Sequence, residues 1–237
     1  MSEIEPYKRR DWDSNFLGYE VYSTNEAVRT ATEICEILTD LKSKARLVYV
    51  SHSEPLDIKQ TMGSFNGILA DIKLTYAKKI NPPSSISPDI KSYTASTASD
   101  RLIQLGLASG IYSRFRTDPK IGIDKYEAIY REWIVKSVSR IIASEVLVYE
   151  LGGELTGMVT LGEKNNCADI GLIAVAENYR SHGIGRALMQ AAENWGYLQG
   201  YTNIQVVTQR ANIPACRLYE KNGYELIKEE YFYHFWL

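Results

Sequence analysis

A strand-like run, "ADIGLIAVA" (Ala168 to Ala176), breaks within a few residues into Arg180-Ser181-His182-Gly183-Ile184-Gly185 and then into the helical pattern "IGRALMQAAENW". Two glycines at a strand-to-helix junction constrain what the backbone can do there. The first N–H groups of a helix lack intrahelical acceptors, and the helix dipole adds partial positive charge. Glycine admits unusual dihedrals and lets a bulky anion come close to the backbone. Such a turn is a diphosphate cradle, and Arg180 and Arg186 can add charge-assisted hydrogen bonds. Known dinucleotide signatures do not fit. The Rossmann fingerprint needs a third glycine and an acidic residue closing the next strand, but "NIQVVTQ" ends in Gln209, and no GKS or GKT follows the glycines. Taken alone, the six residues are equally a turn eased by two glycines.

The 237 residues suffice for one large domain or two small ones, and a hydrophobic content of 45% is that of a globular chain. A formal net charge of −2 argues against general affinity for nucleic acid or anionic membranes. No apolar run approaches the ~20 residues of a membrane span, and "MSEIEPYKRRDWDSN" lacks the apolar centre of a signal peptide. Cys35, Cys167 and Cys216 are scattered, odd in number and free of CxxC spacing. They read as thiols of a cytoplasmic protein without a structural metal.

The clearest seam is "KINPPSSISPDIKSYTASTASD" (Lys79 to Asp100), rich in Pro, Ser and Thr and without sustained periodicity. A boundary near Pro88 divides the chain into residues 1–88 and 89–237. Beyond it, Asp100 is expected to cap the helix "RLIQLGLASGIYSRF", and Asp124 the helix "KYEAIYREWIVKSVSRI". In the latter, Ile129, Trp133, Ile134, Val138 and Ile141 recur at helical spacing. "EVLVYEL" and "ELTGMVTLGE" flank Gly152-Gly153 as a hairpin, "ADIGLIAVA" is a third strand, and "NIQVVTQ" a fourth beyond the helix from Ile184 to about Gln199. A helix from Pro214 to about Asn222 follows, then "YELIKEE" and "YFYHFWL" as two more strands. This order implies an α/β chain of the α+β kind, with a mixed sheet covered by helices. In the N-terminal part, "AVRTATEICEILTDLKSK" reads as a helix, and "RLVYVSH" and "ILADIKLTYAKKI" as strands. "IKQTMGSFNGILADIKLTYAK" faintly echoes "ACRLYEKNGYELIKEEYFYHF", so the first part is either a degenerate copy of the last or an unrelated α/β appendage. The terminal "YFYHFWL", aromatic and nearly uncharged, would make an awkward free edge, and pairing through it suggests a homodimer.

The glycine turn does not stand alone. With "NIPACRLYEKNGYE" downstream, "IAVAENYRSHGIGRALM" resembles the GNAT acetyltransferases, whose cofactor loop reads Arg/Gln-x-x-Gly-x-Gly/Ala and whose last helix opens on Asn and carries a Tyr near its end. The resemblance covers about Leu147 to the C-terminus. The sequence departs from that pattern at Glu177, where proline is common, and at Ser181, where glycine is common. "WDSNFLG", "ASGIYSRFR", "YEAIYREWI" and "NIPACRLY" further resemble the dTDP-4-amino-4,6-dideoxygalactose (dTDP-fucosamine) N-acetyltransferases, over nearly the whole chain. In those enzymes the same GNAT domain follows a partial N-terminal copy of it.

The resemblance implies an acetyl-CoA-dependent N-acetyltransferase with a small nucleotide-sugar substrate, dTDP-4-amino-4,6-dideoxyhexose in type, serving surface polysaccharide synthesis. The strand "GLIAVA" would splay from its neighbour, leaving backbone groups at Ile173, Ala174 and Val175 for the pantetheine arm. Arg180, Ser181, His182, Gly183, Ile184, Gly185 and Arg186 would hold the pyrophosphate, and Asn212 would contact the cofactor arm. Tyr219 would reach the sulfur as general acid, since a phenol near pKa 10 is protonated at neutral pH. Arg114 and Arg116 suit the acceptor's diphosphate, with Phe115 to stack on a base or sugar. No general base is assigned among His182, Glu163, Asp169 and Glu177. Rival readings are a peptide or protein N-terminal amine acetyltransferase and a non-catalytic acyl-CoA-binding module.

Overall fold

The computed structural model describes residues 5–25, 28, 30–57, 65–83 and 85–237. Contacts divide the chain into two compact units, Met1–Lys73 with Glu229–Leu237, and Leu74–Lys228. The division therefore falls at Lys73, inside a strand, where a seam near Pro88 was expected. The end of the chain joins the first unit because the last strand packs into that unit's core. The start of the echoing tract, residues 58–64, lies outside the described residues.

The first unit comprises β1 (Tyr7–Arg9), α1 (Asp11–Leu17), β2 (Val21–Thr24), α2 (Ala31–Leu41), β3 (Leu47–His52), the first part of β4 (Asn66–Lys79) and the end of β10 (Glu225–Trp236). Helix α2 starts on a capping box: Thr30 Oγ1 accepts from Glu33 N–H, and Glu33 accepts from the Thr30 amide. Its stripe of Ile34, Ile37, Leu38 and Leu41 packs on Val48, Val50, Tyr233 and Phe235. Strands β2 and β3 are parallel across α2, and β3 pairs antiparallel with β10 from Tyr231↔His52 to Trp236↔Leu47. "YELIKEE" and "YFYHFWL" are thus one strand and not two, and that strand lies between β3 and β4 in the sheet order. The expected free edge does not exist, because its aromatic residues fill this core.

In the second unit the strand order is β4-β9-β8-β7-β6-β5, with β5 (Ile90–Ser92), β6 (Glu145–Leu151), β7 (Glu154–Lys164), β8 (Cys167–Val175) and β9 (Asn203–Gln209). The hairpin turns at Gly152 and Gly153, both at positive φ as a tight primed turn requires. The helices are α3 (Asp100–Ser109), α4 (Arg114–Thr117), α5 (Ile123–Val138), α6 (Ile184–Leu198) and α7 (Ile213–Lys221). The α3 cap is Ser99, whose Oγ accepts from Leu102 N–H at 3.2 Å, which leaves Asp100 as the first helical residue. Helix α5 is capped at Gly122 and not at Asp124, which lies in the first turn with its charge near the dipole's positive end. Ile141 is 69% exposed, because the chain reverses at Arg140 (φ 58°) and leaves the buried stripe after Val138. Met158 of β7 points into the cluster of α3 and α5, while its neighbour Gly157 faces Ile184 and Leu188 of α6, so helices cover both faces of the sheet.

Two irregularities shape the centre of this sheet. The β7–β8 register slips between Val159 and Leu161, and at the slip Thr160 Oγ1 accepts from Leu172 N–H at 2.8 Å. A side chain at Gly171 would meet that oxygen at 2.9 Å, so only glycine fits beside it. Beyond the bulge β8 bends away. It pairs in parallel with β9 only over Ala168–Ile170 against Ile204–Val206, and the two strands part from Gly171 onward.

The turn into α6 places Ser181 at φ 67° and Gly183 at φ 81°. A left-handed backbone costs an L-residue ~1–2 kcal/mol. Ser181→Gly is therefore expected to leave stability unchanged or raise it by up to ~1 kcal/mol, and Gly183→Ala to lower it by ~1–2 kcal/mol, in denaturant unfolding. Equal effects of the two substitutions would contradict this backbone assignment.

Candidate active site

The mouth of α6 is built from backbone. Its first closing bond runs from Ala187 N–H to the Gly183 carbonyl at 3.0 Å, and no side chain caps the helix. The amides of Ile184, Gly185 and Arg186 consequently point outward without an internal acceptor. No acidic residue occupies the first turn to oppose an anion. Arg180 and Arg186 are exposed beside it, and Arg180 Nε lies 3.4 Å from the Val175 carbonyl oxygen. His182 is exposed, and its Nδ1 donates to the Arg180 carbonyl oxygen at 2.8 Å. The imidazole therefore braces the turn.

The two glycines serve different ends. Around Gly183 a side chain would meet nothing within 4 Å, and its positive φ is the reason for glycine there. At Gly185 an added Cβ would lie 3.2 Å from Leu218 of α7 and 3.8 Å from Val175 of β8. That contact gathers the α6 mouth, the freed end of β8 and the helix bearing Tyr219. On β8, Ile173, Ala174 and Val175 pair with Val159, Met158 and Gly157 of β7, while their other side faces the gap left by β9. Asn212 caps α7, its Oδ1 accepting from Ala215 N–H at 3.3 Å, which leaves the carboxamide NH₂ to donate elsewhere.

Tyr219 lies two turns along α7 and is 2% exposed. Its ring is 5.7 Å from that of Tyr76 and 6.3 Å from that of Tyr224. Burial, with smaller contributions from Cys216 and Tyr76, pushes its pKa above the ordinary phenol value. Tyr219 is thus held as the protonated phenol, the form able to give a proton. Burial likewise raises the Cys216 thiol.

Arg114, Phe115 and Arg116 form the single turn α4, which packs on α5. Phe115 is 5% exposed, with the edge of Trp133 at 5.8 Å and the Arg114 guanidinium 4.4 Å over its ring. Its ring has little surface left for a ligand, because it anchors the turn in the core. Arg116 is exposed, with its guanidinium 6.0 Å over Tyr126. Sequence reasoning missed the Thr160–Leu172 bond, which depends on strand register, and it missed Tyr76 and Lys78, which reach this region from a strand more than a hundred residues away. No group of three or more His, Cys, Asp or Glu among the described residues could hold a metal ion. No helix among them is long and apolar enough to cross a membrane.

The chain resembles known proteins in sequence and in fold. Residues 110–224 match the model of the Acetyltransferase (GNAT) family. Over 229 residues, 94% of this chain and 93% of the relative, the sequence is 29% identical to a dTDP-fucosamine acetyltransferase of Escherichia coli. It is 24% identical over 137 residues, 58% of this chain and 47% of the relative, to the spore coat polysaccharide biosynthesis protein SpsD of Bacillus subtilis. In fold it is similar to a GCN5-related N-acetyltransferase of Sphaerobacter thermophilus, with a TM-score of 0.57 and 14% identity over 96% of this chain and 75% of that one. Residues 110–224 are an acetyltransferase domain of the GNAT family, and the chain that carries them is an N-acetyltransferase.

Proposed function

We propose that this enzyme transfers the acetyl group of acetyl-CoA directly to the amine of a nucleotide-linked amino-deoxy sugar, of the dTDP-4-amino-4,6-dideoxyhexose type. The parting of β8 from β9 beside an uncapped helix mouth carries the cofactor half of this reading. A donor-lined cleft ending at outward amides and two arginines suits a diphosphate with a long polar arm. The acceptor rests on the likeness to the Escherichia coli enzyme, which extends over nearly the full length of both chains. SpsD, a polysaccharide biosynthesis protein by name, supports a sugar over a peptide. Both substrates assign the enzyme to the cytoplasm.

Acetyl-CoA supplies a thioester whose carbonyl carbon is the electrophile. Backbone N–H groups of Ile184, Gly185 and Arg186 bind the diphosphate, with Arg180, Arg186 and the Ser181–His182 turn beside them. The free side of Ile173 to Val175 holds the pantetheine arm, and one N–H there hydrogen-bonds the acetyl oxygen as its charge grows. The Asn212 NH₂ donates to the arm. The sugar amine attacks the thioester carbonyl carbon as the C–S bond breaks; the Tyr219 hydroxyl gives its proton to the departing thiolate and regains one, by way of water, from the newly acylated nitrogen. Arg114 and Arg116 attract the sugar nucleotide's diphosphate, while Phe115 holds their turn in place. The first unit belongs to the same reading as a partial copy of the acetyltransferase fold. The parallel pair β2–β3 joined by α2 repeats the connection of the pair β8–β9 joined by α6, which supports a copy.

Three outcomes follow. Tyr219→Phe is expected to keep acetyl-CoA affinity but lower turnover ~10²-fold in a thiol-release assay offering dTDP-amino sugars and peptide amines side by side. Faster release with peptides would discard the sugar reading. Because the folded phenol titrates above its ordinary value of 10.0, Tyr219 keeps its proton as pH rises through that value. The profile of kcat should then show no alkaline loss below pH ~10 from this group. Arg180→Ala is expected to weaken acetyl-CoA binding about tenfold in calorimetry and to leave kcat nearly unchanged.

A further inference from the structure

The end of β4 carries two side chains that the reaction above does not use. Tyr76 and Lys78 are two residues apart on one strand and so project from the same face. Tyr76 is 3% exposed, and its hydroxyl donates to Glu220 Oε1 at 3.0 Å. Its ring lies 5.7 Å from that of Tyr219 at an interplanar angle of 55°. The Cys216 thiol is the hydroxyl's other neighbour. Cys216 and Glu220 flank Tyr219 on α7, three residues before it and one after. The Tyr76 hydroxyl is therefore joined to the helical turn that carries Tyr219, while its ring bounds the Tyr219 ring. Lys78 makes a 2.8 Å ion pair with Glu193 of α6, and its ammonium lies 5.6 Å over the Tyr224 ring. One strand face thus ties down both helices that build the cleft.

We propose that Tyr76 is a positioning residue for Tyr219: by holding the Cys216–Glu220 turn of α7, it aims the Tyr219 hydroxyl at the departing sulfur. The inference rests on the reading of Tyr219 as proton donor. Proton transfer needs heavy atoms within ~2.6–3.2 Å, and a displacement of ~1 Å can cost ~10²-fold in rate. A phenol on a short helix gains that accuracy only if the helix cannot rock. Near Tyr219 the link of Tyr76 to α7 is a directional bond from a residue on the sheet. Tyr76 also keeps its own proton, since burial and the adjacent Glu220 raise its pKa, so the bond persists across the working pH range.

The test is a double-mutant cycle on the full chain, with Tyr76→Phe, Tyr219→Phe and both together. Acetyl-CoA binding is read by calorimetry, and kcat by thiol release with a dTDP-amino sugar. Tyr76→Phe keeps the ring and removes only the hydroxyl, and it should lower kcat about tenfold with acetyl-CoA affinity unchanged. In the Tyr219→Phe background the same substitution should cost less than about twofold, because the group it positions is gone. Glu220→Ala removes the acceptor from an exposed position and should repeat the loss of kcat even if Tyr76→Phe folds poorly. Equal losses in both backgrounds, or weakened acetyl-CoA binding, would reduce Tyr76 to general packing and overturn the proposal. So would unchanged kcat in Tyr76→Phe and Glu220→Ala while Tyr219→Phe is impaired. If Tyr219→Phe itself turned over like the parent, the proton-donor reading would fall first and this inference with it.

Discussion

The hydrogen bond from Leu172 N–H to Thr160 Oγ1 is the local event on which the cleft depends. A threonine hydroxyl there takes a donor that a regular ladder would send to a carbonyl, and Gly171 leaves room for it. The ladder slips by a residue, and β8 leaves β9 after Ile170. Backbone polar groups that a closed sheet would have satisfied internally become available along one side of β8. Polar groups freed in this way need a ligand or water to satisfy them. The opening therefore belongs to function more than to stability.

Close packing brings the rest to that opening. Glycine at 185 allows α6 to approach both Val175 and Leu218, which sets the helix mouth, the freed strand and α7 side by side. Glycine at 183 and serine at 181 supply the left-handed turn that aims the first amides outward. Serine achieves with some backbone cost what glycine does freely. Charge is placed sparingly: two exposed arginines flank the mouth, and no carboxylate caps the helix. Each of these features favours an anion.

Behind the cleft lie partly buried polar contacts. Tyr76 bonds to Glu220, and Lys78 pairs with Glu193 at side-chain exposures of 20% and 14%. The Lys78–Glu193 pair adds little net stability, but breaking it leaves a poorly solvated charge, so it opposes rearrangement. Packed aromatics at 76, 219 and 224 fill the space between. A phenol held in this way keeps its proton and its place.

Much was legible in the sequence because it is written in local chemistry. Gly152-Gly153 between alternating runs gives a hairpin, Asn212 with Pro214 starts a helix, and Gly183-Ile184-Gly185 after a strand opens a helix mouth. Local signals misled where two residues compete for one role. Ser99 caps in place of Asp100, and Gly122 in place of Asp124, since the choice depends on the path of the preceding loop. Tertiary structure alone decided the rest. Whether "YFYHFWL" is an edge or an interior strand depends on β3 and β4, whose pairing partners no local pattern names. Phe115 became an anchor once Trp133 and Arg114 covered its ring. The bulge at Thr160 and the tie from Tyr76 to α7 join residues 12 and 144 positions apart. Contacts of that separation arise from register and packing, which the order of residues constrains only through the folded whole.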